Sequence, residues 1–268
     1  MTQGLDLLRA AAHEGDAIDL GQIGGGHRVV GGGPAGLAVV VLTIRHQRDL
    51  AAAADGAAIG VVGANGAGKS TLLKLLVGLY FPDSGSIRIG DVPLQKETLA
   101  QIRKIAGYVF QDSESQLFMP NVYEDVAFAP QNYGLPEEEV AYRTKMALAA
   151  VHIGHLAKKP IHKLSGGEKK LAAIATILSM KPDIILMDEP SAALDPQNRR
   201  NLIRVLNEFS YLKLIASHDL DFVWDTCDRT ILLSEGRIVC DGDTREILSD
   251  RKLLETHGLE LPLSLYRK

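Results

Sequence analysis

Three short stretches carry residue types whose spacing suits phosphate chemistry. Gly63-Ala-Asn-Gly-Ala-Gly68-Lys69-Ser70 spells G-x-x-x-x-G-K-[ST]. Glycines in such a loop let successive backbone N–H groups turn inward and surround phosphate oxygens. Gly63, Asn65, Gly66 and Gly68 would form this cradle, with Lys69 reaching the β and γ phosphates. Ser70 would ligate Mg²⁺ and Thr71 would hold the α phosphate, so the loop calls for ATP and Mg²⁺ as its ligands. "DIILMDEP", residues 183–190, is an apolar run that ends in two acids. Asp188 would hold the Mg²⁺ shell and Glu189 would polarise an attacking water. In "LSGGE", residues 164–168, Ser165 and Glu168 form an S-x-x-E capping box around Gly166 and Gly167. A helix start with two glycines and a free hydroxyl is also an anion site, suited to a γ phosphate held by another subunit.

A competing loop lies upstream. Gly31, Gly33 and Gly36 in "VVGGGPAGLA" satisfy the dinucleotide spacing G-x-G-x-x-G. That motif needs a buried strand before it and a helix after it. Here the strand could be only Val29 and Val30, and the following "LAVVVLTI" is β-branched and favours a strand. No flavin is expected.

The elements around the second loop are the ones its chemistry requires. "AIGVV" before it has the pattern of a buried strand, and "STLLKLLVG" after it reads as a helix ending at Gly78. From Ala58 onward short apolar strands alternate with capped helices, which predicts an α/β domain with its acids at the carboxyl edge of a parallel sheet. "LPEEEVAYRTKMALAAV" predicts a helix with Pro136 in its first turn and three acids at the positive dipole end.

Composition bounds the rest. The chain has 268 residues and a net charge of −4, with no basic run, so no nucleic-acid partner is expected. Two cysteines are too few for a disulfide framework and fit a reducing cytosol. The run from Gly36 to Ile44 is far shorter than the roughly 20 residues of a membrane helix. Asp6, Glu14 and Asp16 interrupt any signal-peptide core, so a membrane role must come through a partner.

With the motifs in hand, the chain resembles an ABC-type ATPase, the nucleotide-binding subunit of a transporter. The phosphate loop, Gln111 in "YVFQD", "LSGGE", "DEP", "SAALD" and "ASHD" follow the order of that family. The resemblance implies a P-loop (RecA-like) core with an α-helical subdomain over about residues 112–178, within an ATPase domain over residues 58–245. It implies that Gln111 senses Mg²⁺ and the membrane partner, that Asp195 lines a dimer interface and that His218 contacts the γ phosphate beside Glu189. Two subunits, either identical or paralogous, would close head to tail, with each ATP between one phosphate loop and the opposite Ser165–Glu168. "FQDSESQLF" with Gln116, "VYEDVAFAPQNYGLPEEEV" and the tail "LLETHGLELPLSL" within residues 246–268 resemble the energy-coupling-factor group, especially its cobalt and nickel importers. Such a subunit would sit on the cytoplasmic face of the cell membrane. The Gln111–Phe128 region, with Leu117, Phe118 and Met119 exposed beside acids, would receive an integral membrane subunit; a core hairpin of the helical subdomain is the other reading.

Residues 1–57 depart from the family. They contain no Phe, Tyr or Trp, and Gly and Ala fill 22 of the 57 positions. The aromatic that the family places before the phosphate loop to stack on adenine is missing, which leaves His46 or an aliphatic side chain for that role. The family's opening antiparallel strands are hard to find, so that subdomain is expected to be incomplete, with "LTIRHQ" as a remnant. One account is a frameshifted or misassigned start, and another is a segment expected to be disordered. Two milder departures are Glu168 in place of the usual Gln, which adds negative charge at the "LSGGE" loop, and "SAALD" in place of a more common Thr-Ala-Gly form. A pseudo-ATPase, a vitamin importer subunit, a non-transport ABC protein of DNA repair or translation and a flavin or nicotinamide oxidoreductase are the competing functions.

Overall fold

In the computed structural model, residues 17–19, 28–30, 39–41, 57–82 and 85–266 are described. Three short strands, β1 (Ala17–Asp19), β2 (Arg28–Val30) and β3 (Val39–Val41), form an antiparallel sheet in the order β1-β2-β3. Val39–Val41 falls in the β-branched run that was expected to be extended. The upstream glycine loop itself lies outside the described residues; β2 before it and β3 after it pair antiparallel. "LTIRHQ", with His46, lies outside the described residues.

The body of the chain is a six-stranded sheet. Strand β4 (Ala58–Val62) runs into the second glycine loop, and α1 (Lys69–Leu76) leaves it. A two-stranded hairpin, β5 (Arg88–Ile89) with β6 (Val92–Pro93), and helix α2 (Leu99–Ile105) then lead to β7 (Ala106–Val109). Helices α3 (Val122–Asn132), α4 (Glu137–Ala150) and α5 (Gly166–Leu178) follow and pack on one another. The chain then alternates through β8 (Ile184–Asp188), α6 (Pro196–Asn207), β9 (Leu212–Ala216) and α7 (Leu220–Thr226). It closes with the hairpin β10 (Arg229–Ser234) and β11 (Arg237–Asp243), then α8 (Thr244–Ser249) and α9 (Arg251–Thr256).

The sheet order is β11-β10-β4-β9-β8-β7, with β11 antiparallel and the other pairs parallel. Strands β4, β8 and β9 are buried at every position, so β4 and β8 up to Met187 read as apolar runs and not as alternating ones, while β9 carries the buried Lys213. Their shared direction brings the ends of β4, β7, β8 and β9 to one edge of the sheet. One face carries Leu73, Leu76 and Ile102 from α1 and α2; the other carries Ile174, Leu202 and Phe222 from α5, α6 and α7.

The helices begin where their caps predict. Ser165 and Glu168 make the reciprocal capping box of α5, and Asp195 caps α6 ahead of Pro196. Pro136 is the N-cap of α4, immediately before its three acids.

Candidate functional site

The glycine loop is held open by backbone that other residues resist. Gly63 has φ 159°, and a Cβ there would lie 2.3 Å from the Leu233 carbonyl oxygen. Gly68, with φ 101°, stands at the N-cap of α1, where no side chain caps the helix. The first N–H groups of α1 are thus left to a ligand. Asn65 and Gly66 sit exposed on the crest of the loop, and nothing lies within 4 Å of a Cβ built on Gly66. Lys69 is buried and folds back across the loop, its Nζ donating to the carbonyl oxygens of Gly63 at 2.7 Å and Ala64 at 3.2 Å. Burial pushes its pKa down, while the Glu189 and Asp188 carboxylates pull the other way. Thr71 is half-buried one residue beyond Ser70.

Two carboxylates at the end of β8 face this loop. Asp188 accepts from Ser70 Oγ at 2.8 Å and from Tyr108 Oη at 3.0 Å. Tyr108 is itself buried at the middle of β7, and burial, then the Asp188 charge, raises its pKa. Glu189 leaves the strand with φ 45°, a left-handed conformation that costs a non-glycine residue free energy. It is fixed by its N–H to the Ala216 carbonyl, 2.8 Å. Its carboxylate accepts from Ser217 Oγ at 3.1 Å and from the His218 N–H at 3.1 and 3.2 Å. His218 Nδ1 lies 2.9 Å from Oε2 while the rest of the ring is exposed.

A second cluster joins the starts of α5 and α6. Ser165 Oγ accepts from the Glu168 N–H at 3.3 Å, and the Glu168 carboxylate accepts from the Ser165 N–H at 2.7 Å. Burial works to raise the Glu168 pKa, but the hydrogen bonds from Lys159 and Ser165 outweigh it and hold the group low. Gly166 is exposed with open space where a Cβ would go, whereas a Cβ on Gly167 would lie 2.3 Å from Asn198 Cγ. Asn198 is tied in turn to Asp195 by Nδ2 at 2.6 Å and by its N–H at 2.9 Å. Those backbone and side-chain donors lower the pKa of Asp195. Further along α6, Arg199 makes a bidentate pair with Asp219, beside His218, at 2.9 and 3.2 Å.

Gln111 lies exposed, two residues past the end of β7. Its carbonyl, with that of Phe110, accepts from the buried Lys170 Nζ of α5 at 2.7 and 3.2 Å. Gln116 bridges the same two segments: Oε1 accepts from the Phe110 N–H at 3.1 Å, and Nε2 donates to Ala173 O and Thr176 Oγ1. Next to it opens a groove of about 350 Å³ lined by Tyr108, Phe110, Phe118, Phe128, Tyr133 and Ile177. Of the three residues expected to be exposed here, Phe118 is 65% exposed and stacks edge-on against Phe128, and Met119 is half-covered. Leu117 is a correction: at 6% exposure it belongs to the core, because the turn at 113–115 rotates it inward.

The fold thus joins Ser70, Asp188, Glu189 and His218 at one sheet edge, and it brings Gly167 and Asp195 to Asn198. Tyr108, Ser217, Lys159, Lys170 and Arg199 escaped the sequence reading. Tyr108, Lys170 and Ser217 each stand within three residues of a motif residue, whereas Lys159 and Arg199 do not.

The chain is similar to known ATP-binding proteins of ABC transporters. The ABC transporter family profile matches residues 51–192. A Geobacter sulfurreducens protein, grouped by its name with ABC transporter ATP-binding proteins, is 53% identical over 78% of this chain and 84% of its own length. The energy-coupling factor transporter ATP-binding protein EcfA of Carboxydothermus hydrogenoformans is 43% identical over 76% of each. Among solved structures, cbiO1 of Clostridium perfringens, described as part of the ABC transporter complex cbiONQ, superposes with a TM-score of 0.69. It is 32% identical and covers 95% of this chain and 97% of its own. The chain belongs to the ABC transporter family, as an ATP-binding subunit with ATPase activity that powers transport.

Proposed function

We propose that this chain is the ATPase of an energy-coupling-factor importer and that it serves a small solute, with cobalt or nickel ion as the first candidate. The name EcfA among its relatives supports the group, and the cargo rests on the resemblance of "FQDSESQLF" and the C-terminal tail to the cobalt and nickel importers. For the chemistry, the carrying observation is Glu189, whose carboxylate is aimed by Ser217 and His218 next to the Ser70–Asp188 pair. Gly63, Asn65, Gly66, Gly68 and Thr71 bind the phosphates of ATP, and Lys69 swings from its carbonyl partners onto the β and γ phosphates. The Ser70 hydroxyl and the Asp188 carboxylate are a neutral and an anionic oxygen 2.8 Å apart, a hard donor set that fits Mg²⁺, with Gln111 joining from the end of β7. When bound, Mg²⁺ supplies neutralisation of the β and γ phosphate charge. Glu189 accepts the proton of the water whose oxygen bonds to the γ phosphorus as the bond to the β-bridging oxygen breaks. ADP and inorganic phosphate leave. His218, whose Nδ1 is engaged by Glu189, presents its other ring nitrogen to the γ phosphate.

Two subunits close head to tail, so that Ser165, Gly166, Gly167 and Glu168 of one meet the γ phosphate held by the other, with Asp195 at the seam. No helix among the described residues is long and apolar enough to cross a membrane. The groove beside Phe118, Phe128 and Tyr133 receives the helix of an integral membrane partner, which holds the chain at the cytoplasmic face. The test is uptake. Cells expressing the chain with its cognate membrane subunits should accumulate radioactive cobalt or nickel, and should lose that uptake with Glu189→Gln. Uptake of a vitamin instead of either metal would move the assignment to the other branch of the group.

A further inference from the structure

We propose that Lys159 is a positioning residue for the "LSGGE" loop, cancelling the charge of Glu168 so that the loop can accept a phosphate. The inference rests on the head-to-tail reading above. Glu168 places a carboxylate in the first turn of α5, where an isolated helix benefits from it. The same charge opposes any anion arriving at that helix start. Lys159 meets it directly, with Nζ 2.9 Å from each carboxylate oxygen. Both side chains are about two-thirds covered, so the pair is less screened than a surface pair.

Lys159 is poised for this by its backbone. Its N–H donates to the Leu156 carbonyl at 2.8 Å, and its own carbonyl accepts from the Val122 N–H at 3.2 Å. The residue is thus fixed between the turn at 154–156 and the start of α3, and among the described residues its ammonium pairs with the Glu168 carboxylate alone. Glu168 meanwhile keeps its capping duty: its Oε2 takes the Ser165 N–H, while the Glu168 N–H occupies Ser165 Oγ as an acceptor. The hydroxyl proton of Ser165 stays free to donate to a phosphate oxygen. Pairing with Lys159 therefore supplies what the loop lacks, a neutral side chain at this position, without spending the serine.

The test is a double-variant cycle on the full chain in a Glu189→Gln background, which retains ATP. The readout is the ATP concentration that half-saturates dimer formation, followed by sedimentation at low and high salt. Lys159→Met should raise that concentration about tenfold at low salt, the size expected for one unbalanced charge at short range. The shift should shrink at high salt. Adding Glu168→Gln to Lys159→Met should bring the value back to that of Glu168→Gln alone, because glutamine also closes a capping box. Lys159→Arg should resemble the parent, and it covers the case in which Lys159→Met fails to fold. The inference is overturned if Lys159→Met changes nothing, or if its loss persists undiminished beside Glu168→Gln. A parent that binds ATP and forms no dimer would instead overturn the head-to-tail reading on which the inference stands.

Discussion

Gly167→Ala separates packing from ligand approach within the "LSGGE" loop. A Cβ at this position would lie 2.3 Å from Asn198 Cγ, 2.4 Å from its Oδ1 and 2.8 Å from its Nδ2. The amide cannot simply rotate away, because Nδ2 donates to Asp195 at 2.6 Å. Alanine gains up to about 1 kcal/mol of helix propensity over glycine. Against that stand overpacking, about 1–3 kcal/mol, and the Asn198–Asp195 hydrogen bond, about 1 kcal/mol. Gly167→Ala should therefore destabilise the fold by about 1–3 kcal/mol in urea unfolding. In an Asn198→Ala background the obstacle is gone, and the same change should be neutral or stabilising. Gly166→Ala is the control: no atom lies within 4 Å of its Cβ position, so stability should hold or rise while ATP-dependent dimerisation weakens. An equal loss from Gly167→Ala in both backgrounds would refute the contact, and so would a gain in the wild type.

Other perturbations follow from the same geometry. Tyr108→Phe removes the hydroxyl that donates to Asp188 inside the protein, and it should cost about 1.5–3 kcal/mol in chemical unfolding; wild-type stability would contradict the bond. Burial holds the Lys170 pKa down at about 8, against 10.5 in the unfolded chain. The unfolded state therefore binds more protons between these values, and stability rises with pH across that window, its cost being complete below about pH 8. Relative to Lys170→Met, the wild type should gain about 3 kcal/mol from pH 7.5 to 10.5, read as the gap between two unfolding curves; parallel curves would count against a buried cation. Residues 1 to about 55 are proposed to be translated from a shifted reading frame. Sequencing the coding DNA should reveal, in another frame, an opening with the missing aromatic; no such frame would retire the idea.

The parts of this protein that sequence made legible are local. The phosphate loop needs glycines at fixed offsets, β4 and β8 announce themselves as apolar runs of the right length, and the capping box spans four residues. The groups that aim the carboxylates were hidden for the opposite reason. Tyr108 and Asp188 are 80 positions apart, and Ser217 and Glu189 are 28 apart. They meet only because β7, β8 and β9 are neighbours in parallel register. Lys170 and Lys159 are lysines in a sequence with many, and nothing nearby marks them as covered. Leu117 shows the limit in reverse: an apolar residue between polar ones reads as exposed, and a single turn of backbone buries it. Gln116, weighed in the sequence as a mark of the group, has a structural reason in its bridge between Phe110 and α5.

The central claim is that Glu189, aimed from the end of β8 toward the glycine loop, makes this chain hydrolyse the ATP that the loop binds. The direct measurement is ATP binding and steady-state hydrolysis with Mg²⁺ for the purified wild type and Glu189→Gln side by side. The account predicts that both bind ATP with similar affinity and that hydrolysis falls by about a hundredfold or more in the variant, the scale of losing a general base. Hydrolysis by Glu189→Gln at the wild-type rate would contradict it.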